Sequence, residues 1–317
     1  MNKINSMLIA LVMVMGVFAP LISADTVTTE AVLGNGTADP IIDEMFVFDA
    51  EGNCVVTPNP GSGIDEVWTT FYKYAIVSDP NGISDIATVF EQLSDPDGTP
   101  ITTEAQMTDI TGTGEVITVL NDALACGMIN QTEYDNYIWG LDILKAQFKM
   151  FKIDNDLNNH HTPGDYIVYF KVVDNQGGFS EDTCTFVYEG LNAMEIDFNN
   201  VNYGIIEVGI EKWVAGDIIF DPSGTSDRPT IKNQGNVNIQ ISVLGEDMIG
   251  VNSPSQTLDA SALSVEFMNQ HEYDISSWVT LDGELTPCTP DQISFDITAP
   301  PGTTSNSYVG TLNIVIA

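Results

Sequence analysis

The chain has 317 residues, and its 45 acidic residues against 9 basic ones give a formal net charge of −36 at pH 7. Only 17% of the residues are charged, so the acidity reflects scarce Lys and Arg rather than an excess of carboxylates. This excludes a nucleic-acid binder, which needs clustered basic side chains, and argues against docking on anionic lipid. The hydrophobic content of 43% is enough for a packed core.

The first 24 residues have the pattern of a secretory signal peptide. Lys3 is followed by an apolar stretch at 7–18 and then by small residues before Asp25. The stretch is too short to span a bilayer comfortably, and no Cys stands at the cleavage site for lipid attachment. We expect cleavage after Ala24 and a secreted protein, extracellular or associated with the cell surface, without a direct membrane span.

Four cysteines suit an oxidising compartment and are disulfide candidates, with three pairings that the sequence leaves open: Cys54, Cys126, Cys184 and Cys288. No two of them lie within five residues of each other, which argues against zinc. Two sequons, at Asn35 and Asn130, are candidates for N-glycosylation.

Strand patterns dominate the first half. The segment 67–77 alternates, and one of its faces carries Val67, Thr69, Phe71, Lys73, Ala75 and Val77. Asp-Pro turns at 79–82 and 95–98 bound a further short strand that begins at residue 86. Strand patterns return in the segment 146–188, and several short strands separated by turns favour a β-sandwich.

Residues 115–141 have helical rather than strand spacing. Val116, Val119, Leu120 and Ala123 form an apolar stripe, and Gly127 is placed to end that helix. A second helix is predicted to begin with Thr132 as its N-cap. Its apolar stripe is Tyr134, Tyr137, Ile138 and Leu141. We interpret 115–141 as a helical hairpin inserted into a β-domain.

The second half reads as strands and turns throughout. In its clearest segment, Val237, Ile239, Ile241 and Val243 alternate with polar residues. The same alternation recurs at Leu263, Val265 and Phe267 and again at Ile293, Phe295 and Ile297. The predicted organisation is therefore a signal peptide (1–24), an N-terminal extended segment (25–40) and two tandem immunoglobulin-like β-sandwiches. The first sandwich spans 41–190 with the helical insert, and the second spans 194–317.

The segment from Gly164 to Gly177 (Gly-Asp-Tyr-x-Val-x-Phe-x-Val-x-Asp-x-x-Gly) resembles the closing hairpin of PKD- and cadherin-like modules. The turn at 77–83 is similar to an earlier signature of the same modules. In the second half, Tyr203-Gly204 and the segment 230–236 resemble surface-protein β-sandwiches. Together the two halves resemble secreted cell-surface proteins of archaea, particularly methanogens. The resemblance implies tandem immunoglobulin-like architecture and an extracellular location, and no activity.

No catalytic signature is visible. The three histidines lie beside no nucleophile motif, and no phosphate-binding loop or dinucleotide fingerprint occurs in a strand–helix setting. We therefore expect no enzyme and no resident cofactor. Calcium is the one metal hypothesis, because oxygen ligands alternate as they do in Ca²⁺-binding loops. The candidate ligands are Asp154, Asp156, Asn158 and Asp165. The competing interpretation is a solvated turn.

These observations favour a non-catalytic structural or assembly protein of the cell surface: a component of a filament, sheath or surface layer. Its partners would be itself or other surface proteins. Residues 25–38 could add a strand to the sheet edge of a neighbouring subunit. The competing interpretation is a flexible tail.

The alternative is a secreted adhesin or an accessory module that binds carbohydrate or protein. It predicts a planar stripe of exposed aromatic side chains on one strand. The candidates for that stripe are Trp68, Tyr72 and Tyr74.

Overall fold

A computed structural model describes residues 38–63, 65–142 and 146–317. The predicted signal peptide, most of the predicted N-terminal segment and Asn35 lie outside this range. Within it, no helix is long and apolar enough to cross a bilayer. The fold is mainly β and forms sandwiches, which confirms the predicted class.

The nine strands of the first half are β1 (Ile41–Asp49), β2 (Val55–Val56), β3 (Trp68–Ser78), β4 (Ile86–Ser94), β5 (Ala105–Gln106), β6 (Thr108–Asp109), β7 (Lys149–Asn158), β8 (Gly164–Asp174) and β9 (Phe179–Tyr188). The two helices are α1 (Glu115–Ala125) and α2 (Gln131–Gly140). The second half contains β10 (Met194–Ile196), β11 (Lys212–Val214), β12 (Thr230–Asn233), β13 (Ile241–Gly245), β14 (Met248–Gly250), β15 (Thr257–Leu258), β16 (Leu263–Phe267), β17 (Glu272–Asp274), β18 (Val279–Thr280), β19 (Pro290–Ile297), β20 (Tyr308–Val309) and β21 (Leu312–Ile316). Single 3₁₀ turns occupy Ile83–Asp85 and Ala260–Ala262.

Two sheets face each other in the first half. One has the order β1-β3-β7-β6 and the other β2-β9-β8-β4-β5, and all pairs are antiparallel except β2 with β9. Side chains from both inner faces form one apolar core, in which Phe71 of β3 packs on Phe186 of β9 with ring centroids 4.9 Å apart. The predicted alternation of β3 explains this packing, because Phe71, Ala75 and Val77 all lie on the inner face.

The helices cover the outer face of the β1-β3-β7-β6 sheet. The predicted stripe of α1 is buried there against Phe46, Phe48 and Met150. Gly127, with φ of 71°, follows the end of α1 as predicted. The N-cap prediction for α2 was wrong. Asn130 rather than Thr132 caps the helix, because its side chain accepts from two backbone N–H groups while Glu133 bonds back to the Asn130 N–H.

A second core fills the C-terminal half. It lies between the sheet that contains β12, β19 and β16 and the sheet β18-β13-β21. The predicted alternating residues of β16 and β19 are buried in it: Leu263, Val265, Phe267, Ile293, Phe295 and Ile297. A smaller sheet, β15-β14-β20, flanks this core.

Hydrogen bonds join the two halves. The loop before β3 contacts the end of β12 and the residue that follows it. The Gly61 N–H donates to the carbonyl of Gln234, directly after β12, at 2.8 Å. The Gly63 carbonyl accepts from Lys232 Nζ at 2.7 Å, and the Gly63 N–H donates to Glu195 at 2.7 Å. The described residues from 38 onward belong to one compact unit, and the division into two domains stays a prediction.

Candidate functional sites

The structure does not bring the four predicted calcium ligands together. Asp154, Asp156 and Asn158 lie on β7, which is extended and paired with β3, so their side chains follow one another along a strand instead of surrounding a point. Asp165 lies on β8, in the other sheet. Asp156 accepts a hydrogen bond from Thr70 at 2.6 Å, and Asn158 donates to Glu66 at 3.0 Å.

The four cysteines are free thiols in the structure. Cys54 and Cys126 are hydrogen-bonded neighbours beneath the helical layer, and burial and the Cys54 thiol raise the pKa of Cys126 to about 11. Cys184 packs against the first core, where burial raises its pKa to about 12. Cys288 lies in the second half. The sequon residue Asn130 is exposed, but its side-chain oxygen is engaged as the cap of α2.

Three polar side chains meet inside the first core. Lys73 of β3 and Glu91 of β4 are both fully buried and form an ion pair across the sandwich. Lys73 Nζ also contacts Oδ1 of Asn155, which lies on β7 beside β3. The second carboxylate oxygen of Glu91 is buried and has no hydrogen-bond partner. These residues form the Lys–Glu–Asn cluster.

The surroundings of this cluster are apolar. Lys73 lies between Phe71 and Ala75 on the inner face of β3, and Glu91 lies between Val89 and Leu93 on β4. Burial lowers the pKa of Lys73 and raises the pKa of Glu91, and the attraction between the two groups opposes both shifts. The core thus favours a neutral amine beside a protonated acid.

Sequence reasoning missed the cluster, although the pattern of β3 contained a signal. Lys73 falls on the apolar face, where an unpartnered ammonium group would be strongly unfavourable. Its two partners lie 18 and 82 residues away along the chain. Strand pairing decides that they meet, and one sequence does not show that pairing.

A cluster of carboxylates lies at one end of the first sandwich. Asp79 follows β3, Asp85 precedes β4 and Asp174 ends β8, and one ligand atom from each lies within 4.8 Å of the others. Calcium ligands lie about 2.4 Å from the ion, so oxygen atoms at this spacing can share one. The turn chemistry predicted from the sequence is present, because Oδ1 of Asp79 accepts from the Asn81 N–H at 2.6 Å.

The second oxygen of Asp79 distinguishes this cluster from an ordinary pair of turns. Asp79 is only 7% exposed, and its Oδ2 is buried without a hydrogen-bond partner. Asp39 adds a fourth carboxylate. Oδ1 of Asp39 and Oδ2 of Asp174 each lie 2.6 Å from the position that a Cβ atom would take at Gly178. A side chain at position 178 would therefore fill the space between these oxygens.

A second acidic cluster lies in the C-terminal half, where Oδ2 of Asp296 is likewise buried without a hydrogen-bond partner. It contains Asp296, Glu272 and Glu211. Burial, together with a hydrogen bond to Glu272, raises the pKa of Asp296 to about 7. The carboxyl group of Asp296 therefore changes its charge near neutral pH.

Strand β21 has one open edge within the described part of the chain. It pairs only with β13. At the two ends of this pairing, the Thr311 carbonyl accepts from the Glu246 N–H and the Ala317 N–H donates to the Gln240 carbonyl. Because alternate residues of an antiparallel strand bond to the same neighbour, the backbone groups of Leu312, Ile314 and Ile316 point away from β13. A cavity of about 410 Å³ lies beside this edge, lined by Phe198, Val201, Tyr203, Met248, Leu312 and Ile314 among others. The Tyr203 hydroxyl is buried there with no hydrogen-bond partner.

The predicted aromatic stripe on β3 is not exposed as a plane. Trp68 is 51% exposed, but Tyr74 is buried beneath the helices, and Tyr72 is half-buried with Lys152 Nζ 4.0 Å from its ring centroid. Alternation does place Tyr72 and Tyr74 on the same face, but α1 and α2 cover that face.

Comparison with known proteins identifies no family. No family model matches the chain, and no curated protein is significantly similar in sequence. Solved structures overlap it with low scores, as three examples show. A chaperone–tip adhesin complex of CFA/I fimbriae is 10% identical, with 89% of this chain and 86% of that one covered and a TM-score of 0.31. The C-terminal domain of the Streptococcus pyogenes antigen I/II-family protein AspA is 8% identical, with coverage of 89% and 96% and a TM-score of 0.24. The E. coli alpha-2-macroglobulin is 10% identical, with coverage of 87% and 16% and a TM-score of 0.23. At these scores the overlaps assign neither fold family nor function.

Proposed function

We propose that the protein is a non-catalytic structural subunit of an extracellular surface assembly, such as a filament, sheath or surface layer. The observation that carries the proposal is the open edge of β21 beside a cavity that both apolar and polar side chains line. The exposed backbone groups of an edge strand bind an extended segment through main-chain hydrogen bonds, and neighbouring pockets take its alternate side chains. This mode needs no positive surface charge, which the chain lacks.

The proposed occupant is the segment 25–37 of a second copy. Its alternate residues Val27, Thr29, Ala31 and Leu33 can face the cavity. The charge of the chain supports strand addition over packing of two side-chain surfaces. Five of the seven basic residues in the described ranges already pair with carboxylates, and Lys232 binds a backbone carbonyl. A second copy would therefore find few basic side chains without a partner on this surface.

The test compares the oligomeric state of the chain 25–317 with that of a chain lacking residues 25–37, by light scattering coupled to size-exclusion chromatography. We expect the longer chain to form concentration-dependent oligomers and the shorter one to remain monomeric. A synthetic peptide of residues 25–38 should bind the shorter chain. A monomeric longer chain at all salt and calcium concentrations would contradict the proposal.

Two neighbouring substitutions on β21 provide a matched pair. Ile314→Lys places a charge in the cavity, whereas Val315→Lys changes a side chain that is already 42% exposed. We expect only Ile314→Lys to abolish oligomers and peptide binding. Circular dichroism melting of both variants separates lost binding from lost folding. Equal effects of the two variants on peptide binding would argue against this edge.

A further inference from the structure

The Lys–Glu–Asn cluster has the composition and arrangement of a site for amide bond formation. We propose that Lys73 and Asn155 are joined by an intramolecular isopeptide bond between β3 and β7, with Glu91 as the catalytic acid. The proposal does not depend on whether the protein assembles into a surface structure. It rests on the positions of three side chains in the first core.

The reacting groups have the required orientation. Lys73 Nζ contacts Oδ1 of Asn155, so the carbonyl side of the carboxamide faces the amine. The Nδ2 group of Asn155 donates instead to the Asp154 carbonyl at 2.7 Å. The nitrogen that would leave therefore points toward a backbone acceptor and away from the attacking amine.

Strand register holds the two side chains together. Asn155 is opposite Phe71 on β3, and Lys73 is two residues further along the same strand, so Lys73 and Asn155 are diagonal neighbours on one face. Reactants held in such contact react as if at very high concentration, with effective molarities of roughly 10⁵–10⁸ M for well-oriented groups. A carboxamide is a poor electrophile in water, and this proximity offsets much of its low reactivity.

The step is balanced without an oxidant or a cofactor. The neutral amine of Lys73 attacks Cγ of Asn155 and forms a new C–N bond, while the protonated Glu91 donates a hydrogen bond to the carbonyl oxygen. The C–Nδ2 bond then breaks. One proton moves from Nζ through the Glu91 carboxyl group to the departing nitrogen, and one molecule of ammonia leaves. Glu91 ends the reaction in its starting form.

The core favours the protonation states that this reaction needs. An amine attacks only when it is neutral, and a carboxyl group acts as an acid only when it carries its proton. Burial shifts the pKa of Lys73 downward and that of Glu91 upward. The other titratable groups near Lys73 are Cys184 and Asp154, of which Cys184 is itself kept in its neutral form by burial.

The experiment is intact-mass measurement of the denatured wild-type protein, followed by peptide mapping. We expect a mass lower than that of the sequence by one ammonia molecule, and a branched peptide that joins Lys73 to Asn155. Asn35-Gly36 and Asn81-Gly82 can also lose ammonia by forming a succinimide. An ammonia loss that maps to either of these pairs, with Lys73 and Asn155 unmodified, would overturn the proposal. So would a wild-type mass equal to that of the sequence, which would leave the cluster as a buried ion pair.

Variants separate the three roles. Lys73→Met and Glu91→Gln should both have the full sequence mass, because the first removes the nucleophile and the second removes the acid. Lys171→Met, at a half-exposed pair with Glu181, is the control and should still lose ammonia. A branched peptide in Glu91→Gln at the wild-type level would overturn the role of Glu91. The wild-type map decides the bond itself even if a variant fails to fold.

Discussion

The two halves of the molecule contain fully buried polar side chains whose hydrogen-bond partners differ. In the second half, Asn233 is fully buried and donates to two backbone carbonyls, and Asp197 is fully buried and accepts from the Thr230 N–H at 2.7 Å. In the first half, the fully buried Lys73 binds the side chains of both Glu91 and Asn155.

This difference separates buried polar groups that satisfy the backbone from buried polar groups that contact only each other. A polar side chain that binds the backbone satisfies main-chain groups that strand pairing leaves free, and this explains its presence in a core. A buried Lys–Glu pair has no such role, and apolar residues of similar volume often stabilise a core better. The first half therefore retains a cluster that packing alone does not require.

The largest expected effect comes from removing one member of this pair. Glu91→Ala should have a free energy of unfolding about 3–5 kcal/mol lower than that of the double variant Lys73→Met/Glu91→Leu, because only the single variant leaves the Lys73 amine buried without its partner. Neither variant can form the isopeptide bond, so denaturant titration of the two isolates the electrostatic part.

A substitution in the second core provides a reference value for the loss in the free energy of unfolding. Ile293→Val removes one methylene from a fully buried side chain and should lower the free energy of unfolding by about 0.5–1.5 kcal/mol. If the Glu91→Ala loss is equally small, the two cores do not differ in the way described here.

The next effect tests how the helical layer is attached to the first half. Under oxidised glutathione, the neighbouring thiols of Cys54 and Cys126 should lose two protons and two electrons and form a disulfide, as the glutathione disulfide is reduced. The closed loop should raise the free energy of unfolding by about 2–4 kcal/mol. Alkylation and mass mapping should find Cys184 and Cys288 still reduced. Independent alkylation of Cys54 and Cys126 after oxidation would refute the pairing.

A smaller effect compares the two acidic clusters. Calcium should raise the melting temperature of the wild-type protein, because the unpartnered oxygen of Asp79 and the neighbouring carboxylates supply hard ligands. An ion present at 100 times its dissociation constant contributes about 2.7 kcal/mol. Asp79→Asn should reduce the shift, and Asp296→Asn should leave it unchanged. A wild-type protein that shows no shift at millimolar calcium would exclude the site.

The smallest expected effect is a pH slope from Asp296. Its pKa of about 7 in the folded chain lies above the ordinary value of 3.8, so between these two values the folded chain binds more protons than the unfolded one. The free energy of unfolding should therefore fall as the pH rises through that window. Asp296→Asn should flatten this slope in melting curves recorded at pH 5 and pH 8. An unchanged slope would contradict the raised pKa of Asp296.

Local patterns of the sequence predicted elements well and contacts between distant residues poorly. The stripe of α1 and the inner faces of β3, β16 and β19 followed from periodicity, because burial of one face imposes it. The N-cap of α2 was misassigned although Asn130 and Glu133 form a capping box that can be read from the sequence.

The candidate sites depend on which strands become neighbours. The turn at Asp79 was predicted correctly, but no local pattern could show that it meets Asp174 at the end of β8. The alternating residues 154–158 were interpreted as a loop because strands and metal loops share a period of two. Only the pairing of β7 with β3 distinguishes the two interpretations.

The Lys–Glu–Asn cluster also changes how the chain would respond to cleavage. A bond between Lys73 and Asn155 closes a covalent ring that contains β4, both helices and the residues 143–145. A protease cut anywhere inside that ring would leave one covalently continuous molecule, and its fragments would not separate on a denaturing gel under reducing conditions. Wherever proteases are present, such a ring would keep the two products of a single cut covalently joined.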